Sequence, residues 1–251
     1  MAAALIQKQV CKGSGILVVE PHPETRQAVA DLGCRVMESP AAEIGQAPVL
    51  VLAVKPQTAP EAFAQIQPWL SADQVVVSIM AGITMKKLAA GLNHQAVVRV
   101  MPNTPAQIGL GMNVFYPAPD LSAAKLEPVV KLLGASGEAL QVDREDAIDA
   151  ATAISGSGPA YVFYMAEQWM TQAEALGFSQ VQARTLVQQT LTGATELWKS
   201  GETPVATLRQ QVTSKGGTTA AALEHFEQNQ MGRSFREGIE RAYRRAKELG
   251  Q

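Results

Sequence analysis

Pro48-Val-Leu-Val-Leu-Ala-Val54, stopped by Lys55-Pro56, is the stretch whose reading decides the fold. It is apolar at every position, so it shows no alternation between a wet and a dry face. A short run of this kind belongs to a strand covered on both sides, as in a parallel sheet layered by helices. Gln74-Val-Val-Val-Ser-Ile79 and Ala96-Val-Val-Arg-Val-Met101 repeat the design, each after a stretch of helical composition. Upstream, Gly15-Ile-Leu-Val-Val-Glu20 is a strand bounded by Gly-Ser-Gly and Pro-His-Pro, and the helical stretch from Glu24 to Leu32 ends at Gly33, a C-cap. Strands separated by helices through short loops imply parallel βαβ units and a doubly wound sheet. Gly111-Met-Asn-Val-Phe-Tyr116 and Glu138-Ala-Leu-Gln-Val142 add two strands around a helix from Ser122 to Leu133.

The texture changes near Asp143. From there on no strand pattern is found, only amphipathic stretches punctuated by Gly-Ser-Gly-Pro, Leu-Gly-Phe-Ser, Ser-Gly-Glu-Thr-Pro and Lys-Gly-Gly-Thr-Thr. Ser179 and Thr203-Pro204 read as helix starts, by a capping hydroxyl and an N1 proline. The expected organisation is α/β over residues 1–143 followed by an all-α domain over 144–251. The basic residues of the last helix are interleaved with Glu237, Glu240 and Glu248, which makes them a solvated face.

Composition narrows the function. A formal net charge of −2 argues against a nucleic-acid partner, which needs a clustered basic surface. No apolar run reaches the roughly 18 residues that cross a bilayer, and Met1-Ala-Ala-Ala-Leu-Ile lacks a charged leader. Cys11 and Cys34 are read as reduced thiols of a cytoplasmic protein. Nothing suggests a metal.

A doubly wound dinucleotide fold opens with a strand, a glycine-rich turn and a helix facing the pyrophosphate. Met1-Ala-Ala-Ala-Leu-Ile begins directly as the helix. Gly13-Ser-Gly15 follows that helix and precedes a strand, the wrong order for a phosphate loop, and reads as a plain connection. The Rossmann-type sheet is therefore expected to lack its first strand. Glu20, ending the second, is placed to accept hydrogen bonds from a ribose and repel a 2′-phosphate; Arg26 could offset that repulsion, and helix capping is the plainer alternative. Ala53-Val-Lys-Pro56, Met80-Ala-Gly82 and Met101-Pro-Asn-Thr-Pro105 all follow strands, where ligands collect in open α/β sheets. Each alone is a turn; three in succession suggest a cofactor site.

In the helical half, Ala153-Ile-Ser-Gly-Ser-Gly-Pro-Ala-Tyr161 puts small residues before a long helix. Val212-Thr-Ser-Lys-Gly-Gly-Thr-Thr219 joins hydroxyls to two glycines before another, where free N–H groups suit a carboxylate. Simple capping by Ser and Thr explains both segments equally well.

Taken together, these segments resemble the pyrroline-5-carboxylate reductase family in order and approximate spacing, from Met1 to near the C-terminus. Ser155-Gly-Ser-Gly-Pro-Ala-Tyr161 and Thr213-Ser-Lys-Gly-Gly-Thr-Thr219 are the most specific matches. The resemblance implies an oxidoreductase of proline and amino-acid biosynthesis: a Rossmann domain, then a helical domain that interleaves with a partner subunit. It implies NADPH or NADH as cofactor, pyrroline-5-carboxylate as substrate and proline as product. Homodimers are expected, with a decamer of dimers as a larger form.

By the same resemblance Met1, Ala2, Glu20, Ala53, Val54, Lys55, Pro56, Ala81, Gly82 and Asn103 meet the cofactor. Glu202, Thr213, Ser214, Lys215, Gly216, Gly217, Thr218 and Thr219 meet the substrate. Thr219, Glu202 and Thr152 stand as catalytic residues: Thr219 to donate or orient a proton, Glu202 to favour the cationic imine, Thr152 as a further hydroxyl. His22, His94 and His225 match no motif position and are expected at the surface.

Two departures stand out. Pro40 occupies a place where the family usually has asparagine. The family's strand and Gly-x-Gly-x-x-Met loop should precede Met1 by about a dozen residues, which suggests an internal methionine taken as the start or a shortened chain. A non-catalytic helical dimer scaffold is the rival reading, and another imine or β-hydroxyacid reductase a third.

Overall fold

The computed structural model describes residues 1–250. Helix α1 (Ala2–Gln7) leads through a 3-10 turn, Gly13–Gly15, to β1 (Leu17–Val19); α2 (Pro23–Ala30) and β2 (Arg35–Met37) follow. β1 and β2 pair in parallel, with Leu17 opposite Arg35 and Val19 opposite Met37. The sequence reading contains no β2, because three residues cannot display a period; pairing with β1 makes it a strand.

The larger sheet has the order β3 (Val49–Leu52), β4 (Val75–Ser78), β5 (Val97–Met101), β6 (Gly111–Pro117) and β7 (Gly137–Gln141). Between these strands run α3 (Ala59–Ile66), α4 (Met85–Leu92) and α5 (Ala123–Gly134). β3, β4 and β5 are parallel, as are β6 and β7, but β6 runs antiparallel to β5. The expectation of parallel units breaks there for a geometric reason. Met101 and Gly111 are joined by a segment too short for a crossover, which takes about a dozen residues or more, so the chain folds straight back.

The order β2-β1, then β3-β4-β5, reproduces positions 3-2 and 4-5-6 of the doubly wound arrangement. β1 and β3 belong to separate sheets and exchange no backbone hydrogen bond, so each keeps an unpaired edge. The first-strand position of that arrangement has no counterpart among the described residues. β3 is accordingly only half-buried over most of its length, whereas its neighbour β4 is buried at every position.

Two apolar layers hold the sheet. On one face Leu52, Phe63, Val76, Leu88 and Leu92 pack together, with Leu17 and Val19 of β1 against them. On the other, Val75, Val77, Val98, Val100, Phe115, Val129 and Leu133 form the second layer. β4 feeds both layers by alternation, which is why its sequence reads as continuous valine. Each such side chain contributes about 1.5–3 kcal/mol when fully buried.

One expected surface residue is internal. His94 is buried, and its Nε2 lies 2.7 Å from the Gln74 carbonyl oxygen. A carbonyl only accepts, so Nε2 carries the proton. The Gln74 amide in turn donates to the carbonyls of Ile44 (2.7 Å) and Ala47 (2.8 Å). Asn93, left-handed with φ 47°, ends α4 and precedes the buried imidazole.

Beyond β7 every element is helical: α6 (Asp146–Ala151), a π-turn (Thr152–Gly156), α7 (Gly158–Ala175), α8 (Gln180–Lys199), α9 (Val205–Gln211), α10 (Thr218–Gln228) and α11 (Met231–Gly250). Ser179 caps α8 reciprocally with Gln182, whereas Pro204 sits at the N-cap of α9 rather than inside it. The chain forms two compact units, one of Met1–Pro159 with the C-terminal stretch from Arg241, the other Ala160–Glu240. The first runs past the textural change at Asp143 because α6 and the π-turn lay Ile148 and Ala153 into its interior. The second unit has almost no core of its own. α7, α9 and α10 bury nothing, and α8 buries only Ala183 and Val187. No described helix is long and apolar enough to cross a membrane.

Candidate active site

Because β3, β4 and β5 are parallel, the loops after them emerge at one edge of the sheet. Ala53, Val54 and Lys55 are exposed there, and the Thr58 hydroxyl ties the turn by donating to the Lys55 carbonyl at 2.9 Å. After β4, Met80 is buried, Ala81 is exposed and Gly82 is buried with φ +73°. A Cβ on Gly82 would stand 2.7 Å from the Leu249 carbonyl oxygen, so the last turn of α11 excludes any side chain. The Lys87 ammonium donates to the Gly250 carbonyl at 3.0 Å, fastening the same contact.

At the end of β1, the Glu20 carboxylate accepts the His22 N–H at 2.9 Å. Arg26 donates to the carbonyls of Glu20 (2.7 Å) and Pro21 (3.0 Å) and pairs with Glu38 at 3.3 Å. The Glu20 carboxylate thus ties the turn before α2, whose N-cap His22 has no side-chain cap, while Arg26 is held by its own turn. Met1 is exposed and Ala2 half-buried at the start of α1.

Asn103 and the π-turn interlock. Ser157 N–H reaches back five residues to the Thr152 carbonyl at 2.8 Å, the wide turn that often marks functional sites. The carbonyl of Ser155 would ordinarily receive the N–H of residue 159, but that residue is proline and has none. The Asn103 amide supplies the missing donor at 3.1 Å, while its oxygen accepts the Met112 N–H at 2.9 Å. The Thr152 hydroxyl donates to the Ile148 carbonyl at 2.8 Å, which leaves it an acceptor toward its surroundings.

In the second unit, the Thr213 hydroxyl donates to the Arg209 carbonyl at 2.6 Å, and Gly217 N–H to the Ser214 carbonyl at 3.0 Å. Gly216 is left-handed at φ +70°, and a Cβ at Gly217 would fall on the Ser214 hydroxyl. No side chain caps α10, whose first N–H to find a carbonyl is that of Ala221, on Gly217. The N–H groups of Thr218, Thr219 and Ala220 therefore point outward together, the geometry that holds anions. Ser214 and Lys215 are exposed and Thr219 is half-buried. Glu202 is exposed between α8 and α9, with no hydrogen bond to the 213–219 segment.

A buried charge cluster escaped the sequence reading. Arg99 on β5 is 2 % exposed; its guanidinium meets Glu145 at 3.0 Å and Asp149 at 2.6 Å. The same Glu145 oxygen accepts the Met85 N–H at 2.8 Å, at the start of α4. The signal was present as an arginine inside the valine run Val97-Val-Arg-Val, since a buried charge requires partners. Which carboxylates answer it is decided only by the fold.

Residues 145–249 match the family model described as pyrroline-5-carboxylate reductase dimerisation, and residues 1–82 match NADP oxidoreductase coenzyme F420-dependent. The chain is 39% identical to the pyrroline-5-carboxylate reductase of Pseudomonas aeruginosa, covering 100% of this chain and 94% of that protein. It is 35% identical to that of Haemophilus influenzae, covering 99% and 94%. Among solved structures, the Coxiella burnetii pyrroline-5-carboxylate reductase superposes with a TM-score of 0.92 at 30% identity, covering 100% of this chain and 93% of that one. The Plasmodium falciparum pyrroline carboxylate reductase with NADP bound gives 0.89 at 27% identity, with the same coverage. Similarity of this extent, over both halves, shows that the chain belongs to the pyrroline-5-carboxylate reductase family.

Proposed function

We propose that the protein reduces 1-pyrroline-5-carboxylate to L-proline with NADH or NADPH, the last step of proline biosynthesis. The observation that carries this reading is the correspondence with reductases of that name along essentially the whole chain. It also disfavours the scaffold alternative.

The donor set suits a dinucleotide: three strand-end loops share one sheet edge, and Glu20 lies at the end of β1. When bound, the nicotinamide supplies the hydride, which with one proton converts the C=N bond to CH–NH. Met1, Ala2, Glu20, the 53–56 loop, Ala81 and Gly82 hold the cofactor, and Asn103 acts by bracing the π-turn. The outward N–H groups of Thr218 and Thr219, with Thr213, Ser214, Lys215, Gly216 and Gly217, hold the substrate carboxylate. Glu202 favours the protonated imine, Thr219 orients or supplies its proton, and Thr152 accepts a hydrogen bond from the ring. An iminium needs little acid assistance, so orientation and exclusion of water are the protein's main contributions.

Residues 1–143 serve the cofactor, and 144–251 bind substrate and pair subunits. The matched dimerisation model and the coreless second unit support a homodimer, with a decamer of dimers as the larger assembly. Two free thiols suit a cytoplasmic setting.

The test is NAD(P)H oxidation with pyrroline-5-carboxylate, on this chain and on one carrying a strand and Gly-x-Gly-x-x-Met loop ahead of Met1. The added strand pairs with the free edges of β1 and β3, so cofactor Kd should fall at least about tenfold, from restored N–H contacts to the pyrophosphate. No turnover by either version would remove the reductase reading. Thr219→Ala should lower kcat roughly ten- to hundredfold with cofactor Kd unchanged; an unaltered kcat would take Thr219 out of the mechanism.

A further inference from the structure

Three residues of β5 and its extension, Arg99, Met101 and Asn103, contact the helical segment that carries Thr152. Arg99 meets Glu145 and Asp149 of the α6 turn. Met101, two residues on, lies against the π-turn: a Cβ at Gly156 would stand 2.7 Å from the Met101 methyl and 3.7 Å from that of Thr152. Asn103, two further, holds the Ser155 carbonyl.

The Arg99 cluster is a poor device for stability alone. Its Nε is buried without a hydrogen-bond partner, and two carboxylates face one guanidinium. Buried ion clusters of this sort often contribute no more than apolar side chains of similar volume. What they supply is direction, because a guanidinium fork accepts its partners only in one plane and at fixed spacing. Here the fork sets α6 against β5, and Glu145 passes the constraint on to Met85, immediately after the Met80–Thr84 loop. The β4–α4 loop expected at the cofactor and the helix bearing Thr152 thus share one charged joint.

The geometry points to Arg99, with Glu145 and Asp149, as a positioning residue for hydride transfer that acts through α6 on Thr152 and through Met85 on the β4–α4 loop. This assignment rests on the reductase reading of the preceding subsection. Lysine at 99 keeps the charge and loses the fork. Arg99→Lys should therefore fold and dimerise, with kcat lowered roughly ten- to hundredfold while KM and cofactor Kd move less than about threefold. Asp149→Asn, which keeps an acceptor, should retain kcat within about threefold, whereas Asp149→Leu should match Arg99→Lys.

Hydrogen exchange followed by mass spectrometry gives a readout independent of catalysis. Peptides spanning residues 145–159 should exchange at least about tenfold faster in Arg99→Lys, with β6 and β7 unaltered. Folded Arg99→Lys with wild-type kcat would overturn the proposal, whether or not exchange or melting temperature changed. Should Arg99→Lys fail to fold, Glu145→Leu decides instead, since Glu145 is 30 % exposed and the variant removes the acceptor of both Arg99 and Met85. Faster exchange with kcat lowered about threefold or more supports positioning, and unchanged values overturn it. Absence of turnover in both the wild-type chain and its extended version would instead defeat the reductase reading, leaving the exchange measurement to judge the joint.

Discussion

Phe163→Glu is expected to convert the proposed homodimer to monomers and to lower kcat/KM more than about a hundredfold. α7 is an 18-residue helix in which no residue is buried within the chain. Phe163 is 67 % exposed, Tyr164 65 % and Val162 48 %, beside Trp169 at 44 %. A unit this poor in core cannot offset the entropy of ordering its residues unless another surface covers these side chains. In a twofold dimer each contact occurs twice, so one substitution places two carboxylates in the interface. Losing two buried phenyl rings at about 1.5–3 kcal/mol each, with two desolvated charges added, raises the dissociation constant by at least about a thousandfold. Sedimentation velocity at micromolar concentration checks the outcome. A variant that stays dimeric would place the interface elsewhere on the second unit.

Gly82→Val is expected to unfold the chain about 6–12 °C lower and to weaken NAD(P)H at least about tenfold. Gly82 is left-handed, which costs an L-residue roughly 1–2 kcal/mol, and valine more because it is branched at Cβ. Its Cβ would also meet the backbone oxygen of Leu249 at 2.7 Å, where no flexible side chain can give way. Together these are worth about 3 kcal/mol, hence the shift in melting temperature. Relief requires moving the 80–84 loop or the end of α11, and either displaces a strand-end loop proposed to hold the cofactor. Ala81→Val separates the two effects. Ala81 is exposed, so that variant should melt normally yet still weaken NAD(P)H, and unaltered affinity would remove the loop from the cofactor site.

Most of the sheet was legible because its strands are apolar on both faces and short loops punctuate them. β2 was not, since three residues have no period, nor was the reversal of β6, which depends on loop length rather than on strand composition. His94 was misplaced at the surface because a histidine after a helix says nothing of the carbonyl waiting for it on Gln74. The strand-end loops and the Thr213–Thr219 segment stand out in the sequence because glycine, proline and hydroxyl residues cluster where backbone must bend or bind. Arg99 was passed over because its partners lie 46 and 50 residues away.

The sequence by itself determined the family and the two textures, which follow from local order and periodicity along the chain. Only the tertiary structure decided that β1 and β3 keep free edges, that α6 belongs with the sheet, that Gly82 yields to α11, and that Arg99, Met101 and Asn103 align the helix carrying Thr152. These are contacts between residues far apart in the chain, fixed by packing and charge in three dimensions, and no local pattern encodes which distant group completes them.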